Sequence, residues 1–254
     1  MAFVAFLYGI VAYLAGFAAL LYLVAFVGDL PVAKTMDSGA TGAMPVAVAV
    51  AIDLALVAIF ALQHSVMARP GFKRLWTRLV PPPVERSTYV LVTALVLALL
   101  FWQWRPLPAV VWSVGDPVGA AVLQAIFWAG WGLVVLSTFL INHFELFGLQ
   151  QVFARLRGTT LPAPEFRTPF LYRIVRHPLY LGILLALWST PVMTAGHLLF
   201  AMANTLYILV GAGLEERDLV ALFGDRYRHY RERVSMLLPI PKRKAQPAGQ
   251  VRPS

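Results

Sequence analysis

Long apolar runs alternate with short polar segments along most of this chain. Several runs approach the roughly 20 residues that an α-helix needs to cross a bilayer. The pattern predicts membrane helices over residues 3–27, 45–67, 88–104 and 119–141, followed by two shorter apolar segments over 179–191 and 196–213. The two shorter segments are separated by Thr190-Pro191. They are expected to form a tight hairpin.

This pattern predicts an all-α, polytopic membrane bundle with five to six membrane segments, the C-terminal hairpin included. The first run has no basic segment before it and no A-x-A-like cleavage site after it, so it is expected to be retained as a helix. One domain is expected over residues 1–238, with its cofactor-binding part at about 142–238. The basic, proline-containing stretch 239–254 is expected to be a disordered tail.

Composition agrees with a membrane protein. Of the 254 residues, 59% are hydrophobic and only 13% are charged, and the mean hydropathy is +0.72. A soluble domain of this size is usually about one-quarter charged. The chain has no cysteine, which excludes disulfides, thiolate metal sites and cysteine nucleophiles.

The basic residues are distributed asymmetrically. All of the 21 Lys and Arg residues except Lys34 and Arg105 lie in the segments 68–87, 142–178 and 214–254. These segments share one side of the membrane if every apolar run crosses it. By the positive-inside rule that side is the cytoplasm, here the cytoplasmic face of a bacterial inner membrane. The net charge of +9 is then explained by topology and anionic lipid, and neither nucleic acid nor an obligate protein partner is expected.

Polar side chains concentrate at the same predicted cytoplasmic edge. Four of the five histidines lie there, namely His64, His143, His177 and His229. Each of them could have a purely structural role, as a histidine at the membrane interface that is hydrogen-bonded to a carbonyl. No pair has the i, i+4 spacing of two metal ligands on one helix face, so no metal is expected.

Asp53 lies about a third of the way into the second predicted helix. An ionisable group at that depth is costly and therefore a candidate functional residue. The alternative is a structural hydrogen bond to Asn204, Gln124 or a backbone group.

The C-terminal third contains a second concentration of polar residues. Pro178 suits the first turn of a helix, and it follows Arg176 and His177 and precedes Tyr180. Gly182 allows the close approach of either a ligand or a neighbouring helix. Farther on, Glu215 and Glu216 lie where the last apolar run ends, and the helix is expected to continue to a break at Gly224. Carboxylates, an arginine and the following tyrosines, Tyr227 and Tyr230, suit a ligand with both a cation and a carboxylate, such as S-adenosylmethionine.

The motifs in this region resemble those of the isoprenylcysteine carboxyl methyltransferase and phospholipid methyltransferase superfamily. The resemblance covers about the last third of the chain, through R-H-P-x-Y-x-G, E-E-x-x-L and F-G-x-x-Y-x-x-Y. It implies that S-adenosylmethionine binds among these residues, under the C-terminal helix. The implied cofactor-binding residues are Arg176, His177, Pro178, Tyr180, Gly182, Glu215, Glu216, Tyr227, Tyr230 and Arg231.

The N-terminal two-thirds of the chain is similar to one branch of that superfamily, which holds the methanethiol S-methyltransferases and NnrU-like proteins. The similarity lies in the stretches 62–69, 85–89, 143–149 and 190–200. It implies methylation of methanethiol to dimethyl sulfide. Because the thiolate is the competent nucleophile, a base or a cationic pocket is required. His64 is the first candidate base, His143 and Glu145 are alternatives as base or orienting group, Arg86 would lower the thiol pKa, and Tyr89 would line the pocket.

Other functions remain open from the sequence. A related methyltransferase would act on a prenylcysteine, a phospholipid amine or another thiol. A membrane reductase related to the sterol reductases would consume NADPH instead. A non-enzymatic accessory protein of the NnrU-like kind would not bind S-adenosylmethionine.

Overall fold

The computed structural model describes residues 1–39, 44–163 and 165–240. Its elements in chain order are α1 (Ala2–Val27), α2 (Val46–Ala68), α3 (Pro70–Trp76), α4 (Pro82–Gln103), β1 (Val110–Ser113), α5 (Pro117–Ile141), α6 (His143–Leu146), α7 (Leu149–Arg157), a 3₁₀ turn (Phe170–Arg173), α8 (Pro178–Trp188), β2 (Val192–Thr194), α9 (Ala195–Phe223) and α10 (Asp225–Arg233).

Five of these helices, α1, α2, α4, α5 and α9, are long and apolar enough to cross a membrane. The chain is therefore an all-α, polytopic membrane protein, as the hydropathy pattern predicted. Helix α8 is apolar but has only 11 residues, and with α9 it forms the expected C-terminal hairpin. Most of the predicted tail, residues 241–254, lies outside the described residues.

Helix α9 is longer than the apolar run that predicted it. It has 29 residues and carries Glu215 and Glu216 within its C-terminal half, which confirms that the helix continues past the apolar segment. Gly224 separates it from α10, so the expected break is confirmed as well.

The three basic segments of the chain meet at one end of the bundle, which we call the basic end. Side-chain contacts join them there: Arg69 to Asp218 at 2.7 Å, Ser87 Oγ to the Gly148 carbonyl at 3.3 Å, and Arg176 to Glu216 at 2.6 Å. The predicted grouping of these segments on one side is thus present in the fold.

The opposite end of the bundle contains a feature that the hydropathy pattern did not predict. Strands β1 and β2 form an antiparallel pair that joins the α4–α5 connection to the turn of the hairpin. Thr194 at the end of β2 donates a hydrogen bond to Asp37 at 2.6 Å and accepts one from the His197 backbone at 3.1 Å. The strand pair therefore fixes the start of α9.

The apolar core fills the half of the bundle near the strands. Its centre is the fully buried Trp104, whose ring meets those of Phe26 and Phe200 edge-on at 6.0 and 5.5 Å. Aromatic pairs in this arrangement add to the free energy of burial.

Helices α5 and α8 pack unusually closely at Gly130 and Gly182. A Cβ at Gly182 would come within 2.6 Å of the Gly130 carbonyl oxygen, and the converse holds at Gly130. Small residues permit such backbone contact between membrane helices. Of the two roles expected for Gly182, the structure supports close helix packing.

Candidate functional site

Glu216 is the centre of a buried ionic cluster at the basic end. Its side chain is only 5% exposed. One carboxylate oxygen lies 2.6 Å from Arg176 Nε and 3.1 Å from His177 Nε2, and the other lies 3.1 Å from Arg231 Nε. We call these four residues the Glu216 cluster. Since a buried charge must be paired, Glu216 accounts for the burial of Arg176, and it is also a polar partner for the buried His177.

The backbone next to Arg176 ties this cluster to the end of the chain. The amides of Arg176 and His177 donate hydrogen bonds to the carbonyls of Ser235 and Met236 at 2.9 and 3.1 Å. Pro178, the first residue of α8, is fully buried and has no amide hydrogen to satisfy. The His-Pro sequence therefore starts α8 while its preceding amides hold the segment after α10.

Arg176 also caps α10. Its guanidinium donates to the carbonyl of Arg231 at 3.1 Å and to that of Val234. A cation at the C-terminus of a helix is favourable, because the carbonyls there lack intrahelical partners. Arg176 thus connects α9, through Glu216, to the end of α10.

The inner face of α10 is aromatic. Tyr227 and Tyr230 are 3% and 7% exposed, and the ring of Phe166 packs against both at 5.9 and 5.5 Å. The Tyr230 hydroxyl donates to the Tyr172 carbonyl at 2.5 Å. Burial raises the pKa of Tyr230 to about 12. Sequence reasoning identified the two tyrosines but missed Phe166 and Tyr172, which lie in a segment without a motif.

Glu215 differs from its neighbour in having an open side. Its side chain is 43% exposed, and it accepts a hydrogen bond from the Tyr180 hydroxyl at 2.8 Å. His177 Nδ1 lies 3.8 Å from the same oxygen, and the His177 ring stacks on Tyr180. Of the two adjacent carboxylates, Glu216 is enclosed by protein groups, whereas Glu215 can receive a ligand.

A second group of polar and aromatic residues surrounds His64 on α2. A His64 ring nitrogen lies 2.9 Å from the Tyr89 hydroxyl, and the ring of Phe60 stacks on the imidazole at 5.3 Å. The Arg86 guanidinium lies 4.8 Å from the centre of the Tyr89 ring, within the range of a cation–π contact. We call His64, Tyr89, Phe60 and Arg86 the His64 cluster. Three of the five candidate catalytic residues therefore come together.

The other two candidates, His143 and Glu145, lie outside the His64 cluster. Both ring nitrogens of His143 are engaged, one with the Tyr13 hydroxyl at 3.0 Å and the other with Thr138 Oγ1 at 2.9 Å. Burial lowers the pKa of His143. Glu145 is exposed and accepts a hydrogen bond from Asn142. Among residues 1–39, 44–163 and 165–240, no group of three His, Asp or Glu side chains is placed to hold a metal ion.

An indirect connection runs from His143 to Arg86. The His143 ring packs against Phe147 at 4.8 Å, and the adjacent Leu146 carbonyl accepts a hydrogen bond from Arg86 Nε at 2.8 Å. Gly148 has φ +87°, and a Cβ there would come within 2.8 Å of the Ser87 amide nitrogen. The motifs at 85–89 and 143–149 thus pack on each other and fix the Arg86 side chain.

Tyr207 of α9 adjoins the His64 cluster. Its ring meets Phe60 edge-on at 5.9 Å, and its hydroxyl accepts a bond of 3.4 Å from Ser65. Sequence reasoning missed Tyr207. The only available signal was its position eight residues before Glu215, which places both on one helix face.

Asp53 belongs to the opposite end of the bundle. It is fully buried, and one carboxylate oxygen accepts a bond of 2.8 Å from the Arg105 amide. Of the hydrogen-bond partners expected for Asp53, the one present in the structure is a backbone group. Nearby, Lys34 Nζ donates to the carbonyls of Trp102 and Trp104 at 2.6 and 2.9 Å, so the two basic residues outside the basic end both lie near this carboxylate.

Comparison with known proteins finds methanethiol S-methyltransferases and, at lower identity, Nurim. The chain is 59% identical over 237 residues to Methanethiol S-methyltransferase 1 of Bradyrhizobium diazoefficiens, which covers 93% of this chain and 82% of that protein. It is 55% identical over 237 residues to the Methanethiol S-methyltransferase of Mycobacterium tuberculosis, covering 93% of this chain and 96% of that protein. Human Nurim is 34% identical over 180 residues, 66% of each chain. No family model matches this chain, and no solved structure matches it.

Proposed function

Because this chain belongs to the methanethiol S-methyltransferase family, we propose that it methylates methanethiol to dimethyl sulfide with S-adenosylmethionine as the methyl donor. The observation that carries the proposal is identity above one-half to two such enzymes over 93% of the chain. We place the reaction at the basic end, which carries both the Glu216 cluster and the His64 cluster.

The Glu215 side of the Glu216 cluster fits the donor. S-adenosylmethionine carries an ammonium, a sulfonium and ribose hydroxyls, all of which favour a carboxylate as neighbour. Glu215 is the carboxylate with an open side, and Tyr180 beside it adds an aromatic face for a cation. We assign donor contacts to Glu215, Tyr180, His177 and Tyr227. Arg231, whose side chain is 45% exposed, is assigned to the donor's carboxylate.

Arg176, Glu216 and Tyr230 receive a positioning role in this proposal. Their polar groups are already bonded to protein partners. They hold α10 and the start of α8 in place, so that the donor meets a fixed surface. Preorganised groups of this kind contribute to catalysis by orientation. Pro178 and Gly182 support the same surface through the start of α8 and its packing on α5.

The His64 cluster is the proposed acceptor site. S-adenosylmethionine, when bound, supplies a methyl carbon activated by its sulfonium; the thiol sulfur forms a new bond to that carbon in line with the breaking one, whose electron pair stays on the donor sulfur. His64 takes the proton that the thiol releases, because a ring nitrogen of its imidazole can accept a proton. Tyr89 orients the imidazole through the 2.9 Å contact. Arg86 favours the thiolate by its positive charge.

His143 and Glu145 are assigned to positioning. We assign the role of general base to His64, because both ring nitrogens of His143 already have partners. Through Phe147 and the Leu146 carbonyl, His143 fixes Arg86. Glu145 stabilises the same segment through Asn142.

Assay of the purified protein tests this proposal directly. The protein in detergent is supplied with methanethiol and S-adenosylmethionine, and dimethyl sulfide in the headspace is measured by gas chromatography. His64→Ala is expected to bind the donor, as judged by calorimetry, and to form little product. His229→Ala is the matched control, because His229 is an exposed histidine of α10.

Each other outcome has a defined meaning. An active His64→Ala variant would remove the base assignment and retain the enzyme. Donor binding without dimethyl sulfide would indicate another acceptor, such as a prenylcysteine, a lipid amine or a different thiol. Failure to bind the donor would contradict the methyltransferase proposal and favour a reductase or an accessory protein.

A further inference from the structure

The side chain of Tyr207 has no place in the motifs that define the two clusters, yet it contacts residues of the acceptor side. Its ring is edge-on to Phe60 at 5.9 Å, and Phe60 stacks on the His64 imidazole at 5.3 Å. The contact between its hydroxyl and Ser65 is 3.4 Å, and Ser65 directly follows His64. Tyr207 therefore lies beside the turn of α2 that presents the proposed base.

The helix that carries Tyr207 also carries the open carboxylate of the donor side. The Tyr180 hydroxyl donates to Glu215 at 2.8 Å. Tyr207 and Glu215 also share a face of α9, since eight residues separate them. A path from the proposed base to the open carboxylate thus passes Tyr207.

The proposed chemistry constrains where an acceptor can extend. The acceptor sulfur must face the donor methyl group on one side and His64 on the other. Its alkyl group then points away from both, toward the remaining walls of the space. Phe60 and Tyr207 form an edge-to-face pair beside the His64 imidazole, and such a pair is rigid because each ring has only two rotatable side-chain bonds.

We propose that the ring of Tyr207 is a wall of the acceptor pocket and restricts the enzyme to very small thiols. This inference rests on the proposed function. Methanethiol has a single carbon, so selection for it depends on excluding longer alkyl groups. One methylene in an apolar pocket changes kcat/KM by about 10-fold to 200-fold. A ring removed from the wall is expected to change selectivity within that range.

The test compares acceptors of different length in a set of α9 variants. Initial rates of wild type, Tyr207→Ala, Tyr207→Phe and Tyr207→Trp are measured with methanethiol and with 1-propanethiol, by headspace chromatography of the two sulfides. Leu206→Ala is the matched control, because the adjacent Leu206 side chain is 66% exposed on the outer face of the helix. Donor affinity is measured by calorimetry for every variant.

The ratio of kcat/KM for methanethiol to that for 1-propanethiol is the decisive quantity. Tyr207→Ala is expected to lower it at least about tenfold, whereas Tyr207→Phe and Leu206→Ala should retain the wild-type ratio. Tyr207→Trp should raise KM for methanethiol severalfold without changing donor affinity. A residue that only packs α9 on α2 would reduce both rates equally and leave the ratio unchanged, which would overturn the inference.

The variants also separate this inference from the proposed function. If Tyr207→Ala does not fold, Tyr207→Trp decides, and an unchanged KM for methanethiol counts against a wall at this position. If wild type binds the donor but forms no dimethyl sulfide, the proposed function fails and the inference fails with it. If wild type forms dimethyl sulfide but the ratio of kcat/KM for the two thiols is the same in every variant, the inference about Tyr207 is refuted and the proposed function is retained.

Discussion

Arg176 and Glu216 are 40 residues apart in the sequence, and their side chains form a buried ion pair of 2.6 Å. The arginine begins the turn into α8, and the glutamate lies near the end of α9. The same guanidinium bonds the last carbonyls of α10. One pair of charges therefore holds three helices together at the proposed donor site.

Replacement of Glu216 by glutamine is expected to destabilise the protein strongly. Arg176 and Arg231 would lose their common counter-charge and His177 a hydrogen-bond partner, and breaking a buried pair costs about 3 kcal/mol or more. Thermal unfolding followed by tryptophan fluorescence in detergent measures the effect. Asp225→Asn is a matched control, because Asp225 also contacts an arginine at 2.6 Å but its side chain is 77% exposed. That change should cost less than about 1 kcal/mol, and equal losses would contradict the structural role of burial.

Gly148→Ala is expected to lower both stability and activity. Its φ is +87°, and the added methyl would press on Ser87 at 2.8 Å, displacing the segment that fixes Arg86. Gly158→Ala is the comparison, since Gly158 has φ +69° but open space around its Cβ position. That variant carries only the backbone cost of about 1–2 kcal/mol. The two are compared by melting temperature and by kcat, and similar values for both would argue against the contact with Ser87.

Asp53 is expected to act as a structural acceptor. Asp53→Ala would leave the partly buried Arg105 amide without its partner, which costs about 1–3 kcal/mol. Asp53→Asn keeps an amide oxygen at that position, so its melting temperature should lie between those of Asp53→Ala and wild type. Wild-type stability in both variants, with loss of activity, would instead support a functional role for this residue.

Tyr230 is expected to make stability depend on alkaline pH. Burial raises its pKa from 10.0 to about 12, so the folded state holds the hydroxyl proton more tightly than the unfolded chain. The stabilisation is complete below about pH 10 and is lost as the pH rises through about 12. Melting temperatures of wild type and Tyr230→Phe should therefore converge over that interval, whereas parallel profiles would show that Tyr230 does not contribute.

The basic end is expected to face the cytoplasm. Because the chain has no cysteine, single cysteines can report its orientation without background. Arg78→Cys places the thiol at the basic end and Gly115→Cys places it at the opposite end, both at exposed positions. A membrane-impermeant maleimide applied outside intact bacterial cells should label Gly115→Cys and spare Arg78→Cys. The reverse labelling would invert the proposed topology.

The sequence predicted much of the architecture because membrane helices are specified locally. A run of apolar residues indicates a helix whatever its neighbours are, and the predicted segments agree closely with α1, α2 and α5. Helix α4 begins at Pro82, ahead of the predicted residue 88, and α9 continues to Phe223, beyond the predicted residue 213. The basic segments and the three motifs also indicated that the site lies at one end. Strand pairing between β1 and β2 was not predictable in the same way. The two segments are distant in the chain, and each is too short to show the alternation of apolar and polar residues that is typical of a strand.

Within the site, the sequence by itself determined which residue types meet, and only the tertiary structure decided what each of them does. Glu215 and Glu216 are adjacent and chemically alike, but successive residues on a helix point about 100° apart. One therefore enters the buried ionic cluster and the other faces an opening. In the same way His143 remained an alternative to His64, the first candidate base, until the neighbours of both were known. The packing of α2 and α4 places Tyr89 against His64, whereas Tyr13 of α1 and Thr138 of α5 bond the two ring nitrogens of His143. Side-chain roles depend on such contacts between helices, which no local pattern encodes.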